Sequence, residues 1–188
     1  FHQPEAKFRV VARDVGGGFG LKGGTHAEDA LVVWASKRVG RPVKWTGSRS
    51  ASFLGDDQAR DQTVTGELAL DENGKFLGLR VRALYNAGAY VVGSACVPII
   101  FSLRLAPSAY VIPAVDALAR MVLTNTPPTT PYRGAGRPEA IYLIERLIDK
   151  AARETGIDRI ALRQRNFISP DAMPYSTQGH FTYDSGEF

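Results

Sequence analysis

Two glycine-rich segments carry the residues best suited to chemistry. The first is Gly16-Gly17-Gly18-Phe19-Gly20-Leu21-Lys22-Gly23-Gly24, and the second is Tyr132-Arg133-Gly134-Ala135-Gly136-Arg137. Each precedes a stretch with helical periodicity. Glycine lets backbone N–H groups approach a ligand closely, and the N-terminus of the following helix favours negative charge. Both segments therefore suit an anionic ligand. The second adds two guanidinium groups, permanently charged planar forks that can hold an oxyanion or neutralise charge developing in a reaction. Arg133 follows a rigid proline-rich stretch and lies between an aromatic residue and glycine, which favours a functional role. For Arg137 a surface pairing with Glu139 or Glu145 competes equally.

The first segment admits three readings. Gly18, Gly20 and Gly23 fit G-x-G-x-x-G between an expected strand and helix, and Arg49 lies beyond the next strand, where it could meet a 2′-phosphate. This is an NADP-binding reading. Against it, Asp14 and Val15 separate the strand from an unusually long glycine run, and a hairpin follows where another parallel unit belongs. The P-loop pattern fails because Lys22 sits between Leu21 and Gly23. A plain strand-to-helix turn is the third reading, although so many glycines cost chain entropy that a simple turn does not require.

Other reactive groups are sparse. Cys96 lies in an apolar run and reads as a buried structural thiol. His2, His26 and His180 are scattered and form no Cys/His metal box. His26, in the first turn of an expected helix, reads as a neutral surface residue. Arg159, Arg163 and Arg165 are interleaved with Asp149, Glu154 and Asp158 and read as a solvated face or a subunit contact. No catalytic triad or carboxylate pair stands out.

Composition sets the frame. Among 188 residues, 23 Lys+Arg and 19 Asp+Glu give a net charge of +4, and 44% are apolar. This excludes a disordered chain, and the evenly mixed charge gives no clustered stripe for nucleic acid. The single cysteine points to a reducing compartment, hence the cytoplasm. The uncharged run from Ala83 to Leu103 is interrupted by Asn86, Gly88, Gly93, Ser94 and Pro98, so it reads as buried loop and core rather than a membrane span. The sequence starts at Phe1 with no leader pattern and reads as a piece cut from a larger chain.

These loops need elements to hold them. Lys7 to Asp14 alternates as a strand entering the first loop. Thr25 and Glu28 have capping-box spacing for a helix to about Arg38, with Gly40 after its end. Val43 to Thr46 reads as a short strand. Gln62 to Leu70 and Phe76 to Leu84 alternate on either side of Asn73-Gly74, a strong antiparallel hairpin signal. Val115 to Thr124 reads as another strand, and Pro127, Pro128 and Pro131 impose irregular backbone after it. Pro138 opens a helix with Ile141, Ile144, Leu147, Ile148 and Ala151 on its apolar face. Asp158 caps a last helix to about Phe167. A domain over residues 1–168 is expected, with 169–188 an extended tail leading into an absent remainder.

Taken together, Asp14 to Lys22 and Pro131 to Ala140 resemble the two signature segments of the large subunit of molybdenum hydroxylases, the family of xanthine dehydrogenase, aldehyde oxidase and aerobic carbon monoxide dehydrogenase. Tyr110-Val111-Ile112-Pro113, Thr124-Asn125-Thr126-Pro127 and Leu162-Arg163-Gln164-Arg165-Asn166 resemble that family too, in the same order. The loop Tyr-Arg-Gly-Ala-Gly-Arg is most similar to carbon monoxide dehydrogenase large-chain-like proteins. The resemblance implies an α+β fold with a mixed or antiparallel sheet and packed helices, the molybdopterin-binding domain of the family.

It further implies molybdopterin cytosine dinucleotide carrying molybdenum through its dithiolene, with no protein side chain as metal ligand. Gly17, Gly18, Phe19, Gly20, Tyr132, Arg133 and Gly134 would contact this cofactor. Arg133 would also act on the substrate, while the family's glutamate base matches no segment here. Iron–sulfur and FAD subunits carrying [2Fe–2S] clusters and FAD would be the partners, in a dimer of heterotrimers. Carbon monoxide dehydrogenases place a copper-binding cysteine where Gly134 stands, and xanthine-type enzymes place an acidic residue where Gly23 stands. An aldehyde or heteroaromatic substrate, hydroxylated with water-derived oxygen, is therefore expected. The NADP-dependent oxidoreductase and a non-catalytic pterin-binding module are the rivals.

Overall fold

A single aspartate organises the central turn. Asp71 accepts hydrogen bonds at Oδ1 from the amides of Asn73 (2.9 Å) and Lys75 (2.8 Å), and its carbonyl accepts from Gly74 N (3.1 Å). This joins β1 (Gln62–Leu70) to β2 (Phe76–Gly88) as the antiparallel hairpin that the alternation predicted. The computed structural model describes residues 3–188, so His2 falls outside the described residues. β3 (Val115–Leu123) pairs parallel to β2 on its other edge, giving the mixed sheet order β1-β2-β3.

A parallel neighbour requires a crossover, and residues 89–114 supply it with a helix, α3 (Cys96–Arg104). The uncharged run from Ala83 to Leu103, expected as buried loop and core, thus carries most of a helix. Pro98 stands in the helix's first turn, where its missing N–H costs nothing. Cys96, expected to be buried, is exposed at the helix start. Among the described residues no helix is long and apolar enough to cross a membrane.

The longest helix, α4 (Arg137–Thr155), packs on the sheet and begins and ends where Pro138 and Gly156 indicated. Ala140, Ile144, Ile148 and Ala151 repeat at three- and four-residue spacing and are buried, the last three in one cluster with Leu79 and Val81 of β2. Each fully buried isoleucine contributes about 1.5–3 kcal/mol relative to an exposed one. α5 (Arg159–Gln164) is shorter than expected, but its cap is as read: Asp158 accepts from the amides of Ile160 (2.9 Å) and Ala161 (3.0 Å). Arg163 is not solvated. It bridges Glu145 (2.6 Å) and Asp149 (3.0 Å) on α4, and Arg165 donates to Asn73 O (2.7 Å), so these cations are used within the fold.

The amide donors at the α5 cap hold the Asp158 carboxyl below the ordinary aspartate range. Its folded pKa is depressed, so the cap's contribution is complete above the unfolded value near 3.9 and is lost as pH falls through the folded one. The stability difference between the natural protein and Asp158→Ala should be constant above about pH 5 and shrink towards pH 3. Amide exchange across α5 at a series of pH values measures this, and a pH-independent difference would refute it.

Two expected strands do not form. Lys7 closes a 3₁₀ turn (Glu5–Lys7), the residues from there to Asp14 form no strand, and Val43 to Thr46 forms none either. Alternation alone does not make a strand; a ladder needs a second strand alongside, and neither segment belongs to a sheet among the described residues. Phe8 and Val43 instead line an apolar groove with Val32 and Val33 of α1 (Ala27–Val39). α1 starts one residue later than expected, and its box is closed by Asp29, whose Oδ2 accepts from His26 N at 3.0 Å; Glu28 takes no part. A short helix, α2 (Arg49–Gly55), follows, and neither α1 nor α2 buries a residue.

Residues 169–188, expected as an extended tail, instead fold back. β4 (Tyr175–Ser176) and β5 (Thr182–Tyr183) form a small antiparallel hairpin. Arg104 at the end of α3 holds its turn, donating to the carbonyls of Gly179 (3.2 Å) and His180 (2.6 Å) beneath Phe181.

Candidate cofactor site

The two glycine loops, 112 residues apart between Gly20 and Tyr132 in the sequence, meet in space. Gly20 has φ +99°, and a side chain there would fall 2.5 Å from the carbonyl oxygen of Pro131 and 3.4 Å from Cα of Tyr132. The first loop is therefore seated on the backbone that leads into the second. Phe19, also at positive φ, is half exposed beside the junction.

The first loop uses few of its own donors. Lys22 N bonds to Gly18 O (3.1 Å) and Gly23 N to Gly20 O (3.2 Å), while the amides of Gly16 to Leu21 have no partner among the described residues. The second loop closes on itself through Ala135 N to Tyr132 O (2.7 Å) and Arg137 N to Gly134 O (3.2 Å). At its far end Gly136 lies against Pro98 and Ser102 of α3. The exposed Arg133 guanidinium has no ion-pair or hydrogen-bond partner among the described residues. Arg137 behaves differently: its guanidinium lies 4.3 Å from the Phe101 ring centroid and donates to Gly134 O, and neither Glu139 nor Glu145 pairs with it.

What joins the loops is a segment that carries no motif or periodicity in the sequence. Residues 56–61 leave α2 and run beneath both of them. Asp56 is 3.9 Å from Lys22 of the first loop. Gln58 bonds through its backbone to Pro128 O and from Thr130 N, each at 2.8 Å. Arg60 donates to the carbonyl of Arg133, and Asp61 accepts from the side chain of Asn86 at 2.7 Å. Asn86 in turn accepts from Thr124 Oγ1 (2.7 Å) and donates to Thr126 Oγ1 (2.8 Å), tying the end of the sheet to the proline-rich stretch. The Asp57 carboxyl is pushed above the usual range by burial, opposed by the charge of His26. The only sequence signal was an isolated charged run, Asp56-Asp57-Gln58-Ala59-Arg60-Asp61, without periodicity.

The geometry is a run of free amide donors on a loop seated against the one that carries an unpaired guanidinium, and it fits a polyanionic cofactor rich in acceptor oxygens. Among the described residues no cluster of three or more His, Cys, Asp or Glu could hold a metal ion directly. The family model for the molybdopterin cofactor-binding domain matches residues 1–167. The chain belongs to this family. As a molybdopterin-binding domain it is 39% identical to the carbon monoxide dehydrogenase large chain of Hydrogenophaga pseudoflava, over 98% of this chain and 23% of that protein. Its fold superposes on quinoline 2-oxidoreductase from Pseudomonas putida 86 with a TM-score of 0.85 and 36% identity, over 90% of this chain and 22% of that one. With the Cu,Mo-CO dehydrogenase the TM-score is 0.90 at 34% identity, over 98% and 24%. The chain thus spans about a quarter of the length of these relatives.

The expected α+β class stands, and the nicotinamide reading does not. Gly18, Gly20 and Gly23 precede α1, but no sheet strand lies before them or directly after that helix, so no parallel strand-helix-strand unit forms. Arg49 is in the first turn of α2, with its guanidinium over Phe53. A dinucleotide crevice at a sheet edge cannot be built without those strands.

Proposed function

We propose that this molybdopterin-binding domain forms the cofactor face of a hydroxylase that inserts water-derived oxygen into an aldehyde or heteroaromatic carbon. The observation that carries the reading is the seating of Gly20 on Pro131 and Tyr132, which sets the free amides of one loop beside the unpaired Arg133 of the other. When bound, molybdopterin cytosine dinucleotide with its molybdenum supplies the oxygen-transfer and two-electron chemistry. Partner subunits would hold the [2Fe–2S] clusters and FAD that accept electrons, in a cytoplasmic dimer of heterotrimers. The relative named for quinoline, a heteroaromatic compound, supports the substrate class.

The chain's own residues bind and orient. Amides of Gly17, Gly18, Phe19 and Gly20 would donate to anionic oxygens of the cofactor, and the half-exposed Phe19 ring would shield that edge from water. Tyr132 and Gly134 complete the opposite wall. Arg133 projects a fixed positive charge at the mouth, where it orients the substrate and stabilises negative charge as it develops. Its removal should lower turnover about 100-fold, the usual loss for one such donor. In the full-length protein, Arg133→Ala should keep its molybdenum and pterin; unchanged turnover would remove Arg133 from this role.

Copper has no seat at position 134. Gly134 has φ +97°, and a Cβ there would lie 2.7 Å from Cδ of Pro138, so a cysteine would have to displace the start of α4. Metal and pterin analysis of the full-length protein purified with its partners tests the whole reading. One molybdenum and one pterin per chain without copper are expected; stoichiometric copper, or no pterin, would overturn it.

A further inference from the structure

Arg60 is held in a conformation that its residue type does not favour. Its φ is +61°, in the left-handed region where a side chain crowds the backbone. It stands outside any helix or strand, and every polar contact of its side chain is with the second loop or the first turn of α4. The guanidinium lies 4.9 Å from the centroid of the Tyr132 ring. It donates through Nη2 to the carbonyl of Arg133. Its Nε is 3.8 Å from Oε1 of Glu139, a side chain only 7% exposed whose other oxygen has no partner.

A planar, permanently charged group touching a ring face and a carbonyl at once fixes the angle between them, which a flexible ammonium cannot do. Glu139 supplies the countercharge that keeps a second cation beneath Arg133. Backbone strain of this kind persists where the surroundings over-determine a residue, and here they converge on one loop.

We infer that Arg60 is a positioning residue: it sets the orientation of Tyr132 and of the Arg133 peptide, and hence the direction in which the Arg133 side chain leaves the loop, without itself touching cofactor or substrate. The inference rests on the reading of Tyr132 to Gly134 as the cofactor loop.

Arg60→Gly separates this role from a merely structural one, because glycine accepts φ +61° without strain while removing the guanidinium. In the full-length protein with its partners, kcat should fall at least tenfold with molybdenum and pterin content unchanged. The electron paramagnetic resonance signal of reduced molybdenum should shift, and the Ala135 and Arg137 amides should exchange with solvent at least tenfold faster. Arg60→Lys, which keeps the charge but not the plane, should recover only part of kcat. Faster exchange without a change in kcat, or lost kcat with exchange and the resonance signal unchanged, would overturn the assignment. So would loss of cofactor in parallel with activity, since Arg60 would then serve retention alone. A natural protein lacking molybdenum and pterin would overturn the cofactor reading instead, and the exchange rates would still decide whether Arg60 holds the loop.

Discussion

Gly20→Ala is expected to reduce turnover of the full-length protein by about two orders of magnitude, the scale on which an ångström of misplacement acts. The added methyl would meet the Pro131 carbonyl oxygen at 2.5 Å and its carbon at 3.0 Å. Both are backbone atoms next to a proline, so no side chain can swing aside. The residue must also hold φ +99°, which disfavours any Cβ. The two loops must therefore separate, and the free amides of the first lose their register with Arg133. Gly24→Ala is the control. It lies in the same glycine run, but its Cβ would meet nothing within 4 Å and its φ is not positive. Steady-state turnover of both variants, normalised to bound molybdenum, decides the matter. Equal turnover of Gly20→Ala and the natural protein would mean that the loop contact plays no part in the site.

The second large effect falls on the fold. Asn166 is buried at 2% exposure and satisfies three backbone groups. It accepts from Phe76 N and donates to the carbonyls of Gly74 and Leu162, each at 2.8 Å. It thereby fastens the β1–β2 turn to α5. Asn166→Ala leaves an amide and two carbonyls buried without partners, at about 1–3 kcal/mol for each unsatisfied group. A local loss of about 3 kcal/mol corresponds to roughly a hundredfold drop in protection of the Phe76 amide against hydrogen exchange. Protection within threefold of the natural protein would show that water replaces the side chain readily. Exchange is the right measurement because a long multidomain protein has no single unfolding transition.

The hairpin and α4 were legible because their information is local. β1 and β2 bury alternate residues around Asn73-Gly74, and α4 repeats Ile144 and Ile148 one turn apart between Pro138 and Gly156. The two loops were legible for a related reason: clustered glycines beside arginine are costly without a purpose, and the family resemblance named that purpose. What escaped was non-local. Arg60 acts on a carbonyl 73 positions later, and no periodicity links the two. α3 was obscured by Pro98 and by the glycines before it. The failed strands at Lys7 to Asp14 and Val43 to Thr46 show the converse, since their pattern is sound but neither joins a sheet among the described residues.

That α1 and α2 bury nothing has a practical consequence. Trp34, Trp45, Phe53 and Leu54 are each more than half exposed, as are Val10 and Val11. So much greasy surface on one region of a polypeptide drives self-association when it is left uncovered. Produced alone at high concentration, this stretch of sequence would scatter light and precipitate through its first 55 residues, carrying the glycine loop with it. Expression trials that trim the gene to the recognisable domain would therefore lose the very half of the site that such a design sets out to isolate.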